Sequence, residues 1–139
     1  MSTSATDRLP LVGRLLVVMR DLALRWRLTL LLSWVACFPF LVWLYWSPEN
    51  TPPTAIGEWE VGLDKPIHAA THGFMVLIPA LLALGRWRAF AIGLGFATAV
   101  CLEIGQLHVP GRSFELLDLV ANTTGALCGW WVAVRLRQL

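Results

Sequence analysis

Four long apolar blocks alternate with short polar breaks along this chain, and its polar residues are gathered between blocks rather than spread around helices. A bilayer imposes that division on sequence. The first block, about Leu28 to Trp46, holds no charged residue and matches the ~20 residues that cross ~30 Å of hydrocarbon. Pro39 is placed to kink it, and Trp43, Tyr45 and Trp46 at its far end read as an aromatic belt. The proline-rich, acidic stretch that follows reads as a loop. A second span is expected from about Pro66 to Gly85, with Asp64 capping its start and Pro66 in its first turn, where a missing N–H costs little. Arg86-Trp87-Arg88 then forms a short basic break before a third span, about Ala89 to Leu107, in which Gly93 and Gly95 allow close helix approach. Pro110-Gly111 is a strong turn signal, and a fourth span runs from about Glu115 to Val134. Ala121, Gly125 and Gly129 form a small-residue stripe along that span, suited to helix packing in lipid.

Upstream, Leu9 to Trp26 mixes Leu and Val with Arg14, Arg20, Asp21 and Arg25. Arg14, Asp21 and Arg25 share one face, with Asp21 and Arg25 at i,i+4. This is the pattern of an interfacial amphipathic helix. The arginines interrupt the apolar run and no small-residue cleavage site follows, unlike a cleaved signal peptide. The expected architecture is therefore all-α: an integral membrane bundle of four transmembrane helices over residues 28–139, preceded by a cytoplasmic or interfacial segment over residues 1–27.

At 57% hydrophobic and 14% charged, the chain is too apolar for a soluble domain of 139 residues, and that length leaves room for one compact unit. A net charge of +2 gives no footprint for nucleic acid. The placement of charge says more. Residues 1–27 carry five Arg against two Asp, whereas residues 47–65 carry four acids and only Lys65. With Arg86, Arg88, Arg135 and Arg137, the positive-inside rule puts both termini in the cytoplasm of a multi-pass cell-membrane protein. Cys37, Cys101 and Cys128 lie in apolar blocks without metal-ligand spacing, and read as small buried hydrophobes.

That topology gathers the unusual polar residues in the outer half of the bilayer, where ionisable groups are costly and mark function. Asp64, Lys65, His68 and His72 fall at the outer end of the second span, Glu103 and Gln106 at that of the third. Arg112, Ser113, Asp118 and Asn122 fall on the same side. Within each helix they share a face: Asp64, His68 and His72 at i,i+4,i+8, Glu103 and Gln106 at i,i+3, Asp118 and Asn122 at i,i+4.

The stretches D-K-P-I-H at 64–68, E-I-G-Q at 103–106, P-G-R-S-F at 110–114 and D-L-V-A-N-T-T-G at 118–125 resemble the VanZ-like membrane proteins in order and spacing. The resemblance covers most of residues 64–130. It implies a small multi-span membrane protein related to one that gives accessory resistance to the glycopeptide antibiotic teicoplanin, and it implies no agreed reaction. His72 stands where that family often has an aromatic residue, and the arginine-rich N-terminal helix lies outside the matched part.

Three chemistries suit these residues. In the first, a cell-envelope glycolipid or lipid-linked precursor binds at the outer leaflet. Arg112 and Lys65 hold its phosphate or carboxylate, and Asp64, Gln106, Ser113 and Asn122 hold sugar or peptide groups. In the second, a membrane hydrolase or transferase uses His68 with Glu103 or Asp118 as base and acid, and Arg112 stabilises developing charge. In the third, ranked last, His68, His72, Glu103 and Asp118 hold zinc. Without an H-E-x-x-H pattern, a nucleophilic serine context or a glycine-rich phosphate loop, binding is favoured, with no cofactor or metal assigned. Each residue also has a plainer role: Asp118 and Asn122 as interhelical hydrogen-bonding groups, Arg112 as partner of Glu103 or Asp118, His108 and Glu115 as solvated rim groups.

Overall fold

The computed structural model describes residues 10–47, 61–111 and 114–139, and for residues 61–64 the backbone alone. Among the described residues the protein is all-α. Its helices are α1 (Leu11–Arg25), α2 (Arg27–Trp46), α3 (Val61–Leu82), α4 (Gly85–Gly105) and α5 (Leu116–Arg137), with a 3-10 turn over Gln106–His108 continuing α4. Two of these, α2 and the stretch Gly85–His108, are long and apolar enough to cross a membrane.

Beside an apolar core that includes Trp34, Leu41, Met75, Val76 and Leu82, the bundle buries polar groups and exposes large apolar ones. His72, Glu103 and Asn122 are fully buried, and Gln106 and Asp118 nearly so, while Leu32, Val35, Phe90, Leu117 and Leu127 are exposed. Such a surface is favourable against hydrocarbon and costly against water.

Several element boundaries differ from the sequence pattern. The second long helix begins at Val61, so Asp64 lies inside it rather than capping it, and Pro66 lies beyond its first turn. The break between α3 and α4 comes at Ala83–Leu84. There Leu84 is extended and Gly85 takes φ 54°, a left-handed conformation that costs glycine little. Arg86, Trp87 and Arg88 therefore belong to the first turn of α4. The Pro110-Gly111 turn is as expected, with Gly111 at φ 80°. In α1, Asp21 accepts from its neighbour Arg20 (2.8 and 3.0 Å). The cysteines are free but exposed, which a weakly polar thiol tolerates on an apolar surface.

The closest packing is α3 on α5. A Cβ added to Gly125 would strike the backbone of Ala69, and one added to Gly129 would lie 2.8 Å from the Gly73 carbonyl carbon. The small-residue stripe thus brings two backbones together. Gly95 likewise meets Met75, whereas Gly93 has nothing within 4 Å and allows no approach.

Two tryptophans seat α2 on this core by bonding helix carbonyls that have lost their usual partners. Pro79 supplies no N–H to the Met75 carbonyl four residues before it, and Trp34 Nε1 donates to that oxygen instead (2.8 Å). At the end of α4 the Gln106 N–H turns to Glu103 O, and the Leu102 carbonyl is taken by Trp46 Nε1 (3.1 Å). Trp46 is thus tied to the end of α4 while remaining 41% exposed at the end of α2. Trp34→Phe is expected to cost about 1–3 kcal/mol by stranding the Met75 carbonyl. The loss should shrink in a Pro79→Ala background, where a helix N–H is restored. Thermal unfolding of the four variants in detergent measures this, and an equal loss in both backgrounds contradicts it.

Candidate functional site

One end of the bundle holds the polar cluster: the C-terminal end of α2, the N-terminal half of α3, the C-terminal end of α4 and the N-terminal turns of α5. The sequence spacing puts Lys65, His68 and His72 of α3 on successive turns facing inward. Lys65 Nζ bonds Asp118 Oδ1 and reaches Glu115 Oε2 at 2.8 Å. Asp118 is nearly buried, its side chain 8% exposed, while Glu115 is half exposed and forms the rim.

His68 is fixed by α5. Its Nδ1 lies 3.0 Å from Asn122 Oδ1, and Asn122 Nδ2 donates to the Ala99 carbonyl of α4 at 3.3 Å. These contacts set the tautomer. The Ala99 carbonyl only accepts, so the amide nitrogen of Asn122 must face it, and the amide oxygen then faces His68 Nδ1. Nδ1 is therefore the protonated nitrogen, and Nε2 turns toward Asp118 Oδ2 at 4.0 Å.

Glu103 enters from α4 and is fully buried. Its Oε1 accepts the backbone N–H of Glu115 (3.1 Å), which ties the start of α5 to the end of α4. Among the described residues its Oε2 has no hydrogen-bond partner. His68, Glu103 and Asp118 each offer one donor atom, all within 4.8 Å of one another. The three residues assigned to acid–base chemistry thus converge, on three different helices.

Gln106 is buried in the 3-10 turn, and Asn122 joins His68 to α4. Lys65 is in the cluster as expected, and Asp118 and Glu115 are its partners. The side chain of Asp64, and Arg112 and Ser113 altogether, lie outside the described residues, as does the expected pairing of Arg112 with Glu103 or Asp118. His108 is exposed, as expected of a rim residue. His72 is separate from the three-donor group: it is buried, with Nε2 3.4 Å from the Tyr45 hydroxyl.

Tyr45 is the residue that sequence reasoning placed wrongly. It is buried rather than interfacial, its hydroxyl 3.4 Å from both His68 Nδ1 and His72 Nε2, its ring edge-on to both imidazoles. A Trp-x-Tyr-Trp run after an uncharged segment also describes an interfacial belt, and the available signal was only that Tyr carries a polar handle that needs a partner when buried.

A family model described as VanZ/LLP1 matches residues 28–137. No curated protein and no solved structure matches the chain.

Proposed function

From the premise that this chain belongs to the VanZ/LLP1 family, we propose that it is a multi-pass cell-membrane protein whose helices α2 to α5 all cross the bilayer, with both termini cytoplasmic. At 20 to 22 residues each, these helices are long enough to span. Arg27, Arg86, Arg88, Arg135 and Arg137 mark one end of the bundle, and Arg137 Nη1 donates to the Ala80 carbonyl near the end of α3 (3.1 Å). The polar cluster occupies the opposite end, which the positive-inside rule assigns to the outer leaflet. α1 lies along the inner interface, its apolar side chains exposed. Cysteine probes at Asn50 and His108 are expected to react with an impermeant reagent from outside, and a probe at Trp87 to be protected; labelling at Trp87 alone inverts the arrangement.

The site binds the polar head of a lipid-linked cell-envelope molecule or glycolipid, and through that binding contributes to glycopeptide resistance. The observation that carries this reading is the cluster of buried carboxylate, imidazole and amide groups at one end of an apolar bundle, where each costs free energy unless it has a use. Lys65 sits at its mouth, its side chain 25% exposed and its ammonium shared between Asp118 and the rim residue Glu115, so an anionic head group competes with Glu115 for it. Arg112 adds a planar fork for phosphate or carboxylate, and Asp64, Ser113 and Gln106 supply hydrogen bonds to sugar or peptide groups, while Asn122, fully buried and bonded to His68 and Ala99, supports the site from behind. Teicoplanin susceptibility of a host expressing each variant, with membrane expression matched, tests the reading. Lys65→Gln and Arg112→Lys are both expected to lower resistance at least several-fold; wild-type behaviour of both makes the cluster structural only.

A further inference from the structure

We propose that His68, Glu103 and Asp118 form a binding site for one divalent transition-metal ion. The donors come from α3, α4 and α5 and lie within 4.8 Å of one another. Three protein ligands of nitrogen and carboxylate oxygen, with further positions open, form a set that zinc and its first-row neighbours accept.

Two features point to a cation beyond the acidity of the group. The first is Glu103 Oε2, on a side chain with no exposed surface and without a hydrogen-bond partner among the described residues. Oε1 is already held by the Glu115 N–H, so the carboxylate is oriented, and Glu103 offers a carboxylate oxygen within 4.8 Å of the donor atoms of His68 and Asp118. The second is the tautomer of His68. Asn122 fixes Nδ1 as the donor, so in the neutral ring Nε2 presents a lone pair to Asp118 Oδ2, 4.0 Å away. Two acceptors facing each other across that gap leave room for a positive centre between them. Lys65 Nζ bonds the other oxygen of Asp118, so it need not be displaced.

Asn122 supplies what an imidazole ligand requires, an acceptor on the nitrogen away from the metal that fixes the ring's orientation. Its own amide is anchored on Ala99, so the support extends to the α4 backbone. At metal–ligand bonds of ~2.1 Å, tetrahedral donors lie ~3.4 Å apart, so the group closes by roughly 1 Å or more on binding. Side-chain rotation covers that distance. The ion inference stands apart from the head-group reading, because it concerns the chain's own donors and is measured without any lipid.

The test uses the untagged full chain in detergent, stripped with EDTA, reloaded with Zn2+ or Co2+ and desalted. About one ion per chain is expected by mass spectrometry of the metal, and Co2+ loading should give a visible absorption band of a low-symmetry N/O site. Glu103→Gln, His68→Gln and Asp118→Asn are each expected to weaken Co2+ affinity at least about tenfold, and Asn122→Leu by about 10–100-fold. Glu115→Gln, at the rim, should change it less than about twofold. Protein elution as a single species identifies variants that fold. Wild-type chain that holds less than about one ion per ten chains overturns the proposal without any variant. So does loading that persists unchanged in folded Glu103→Gln and His68→Gln; a proton shared by His68 and Asp118 would then be the positive centre.

Discussion

Gly125→Leu is expected to unfold the bundle or lower its stability by about 3 kcal/mol or more, at or above the top of the usual range for overpacking. The α3 and α5 backbones touch there. Even a single added Cβ meets the Ala69 carbonyl group, with the Ala69 Cα 2.6 Å away, and backbone atoms have no rotamer to give. Relief requires the helices to separate, and separation also unseats Gly129 from Gly73, because both contacts lie along the same pair. Lys65, His68 and the groups of α5 they bond would part with it, so one substitution at an apolar position should also disrupt the polar cluster. Gly93→Leu is the internal control. It makes the same chemical change where nothing lies within 4 Å, and it should fall within about 0.5 kcal/mol of wild type. Thermal unfolding of both in one detergent decides the matter; equal losses mean that α3 and α5 do not pack through Gly125.

The second large effect is expected at the Lys65–Asp118 pair. Asp118 has only 8% of its side chain exposed, and Lys65 Nζ is bonded to it. Removing the ammonium strands a carboxylate in an apolar bundle, and breaking a buried pair costs about 3–5 kcal/mol when both partners are fully buried. Lys65 retains 25% exposure, so solvent and Glu115 soften the loss, and about 2–3 kcal/mol is expected for Lys65→Met. Lys65→Met with Asp118→Leu should recover most of it, because no charge is left unpaired. Measured in EDTA, so that no bound ion contributes, the cycle should show a coupling of at least about 1 kcal/mol. Strictly additive losses would show that the two side chains act independently. The sequence offers Arg112 as a partner of Glu103 or Asp118, and that residue lies outside the described ones. Among the described residues Lys65 bonds Asp118, because it lies on the inward face of α3, opposite the first turn of α5.

Much of this protein is written in its sequence. Uncharged or nearly uncharged runs about 20 residues long can bury their backbone polar groups only as helices, so the all-α class followed from composition and block length. The helical period of 3.6 placed Asp118 with Asn122 and Glu103 with Gln106 on common faces, and the Gly125–Gly129 stripe on the face that packs. Charge asymmetry put the polar residues at one end. All of these are local or one-dimensional properties, and a single chain displays them.

What pairs with what was decided only in three dimensions. Gly93 and Gly95 look equivalent along the chain, but one faces open space and the other Met75, because the rotation of α4 about its axis is set by its neighbours. Tyr45 matches an interfacial belt by composition, yet the approach of α2 carries it between two histidines, while its neighbour Trp46 stays exposed and bonds a carbonyl freed by a 3-10 turn. α3 already includes Val61, Gly62 and Leu63, so Asp64 and Pro66, which read along the chain as a cap and a first turn, lie inside the helix. Periodicity states which face of a helix is polar. Which group waits opposite depends on translation along and rotation about each helix axis, and those are fixed by the close contacts of α3, α4 and α5, where Gly73, Gly95, Gly125 and Gly129 let backbones meet.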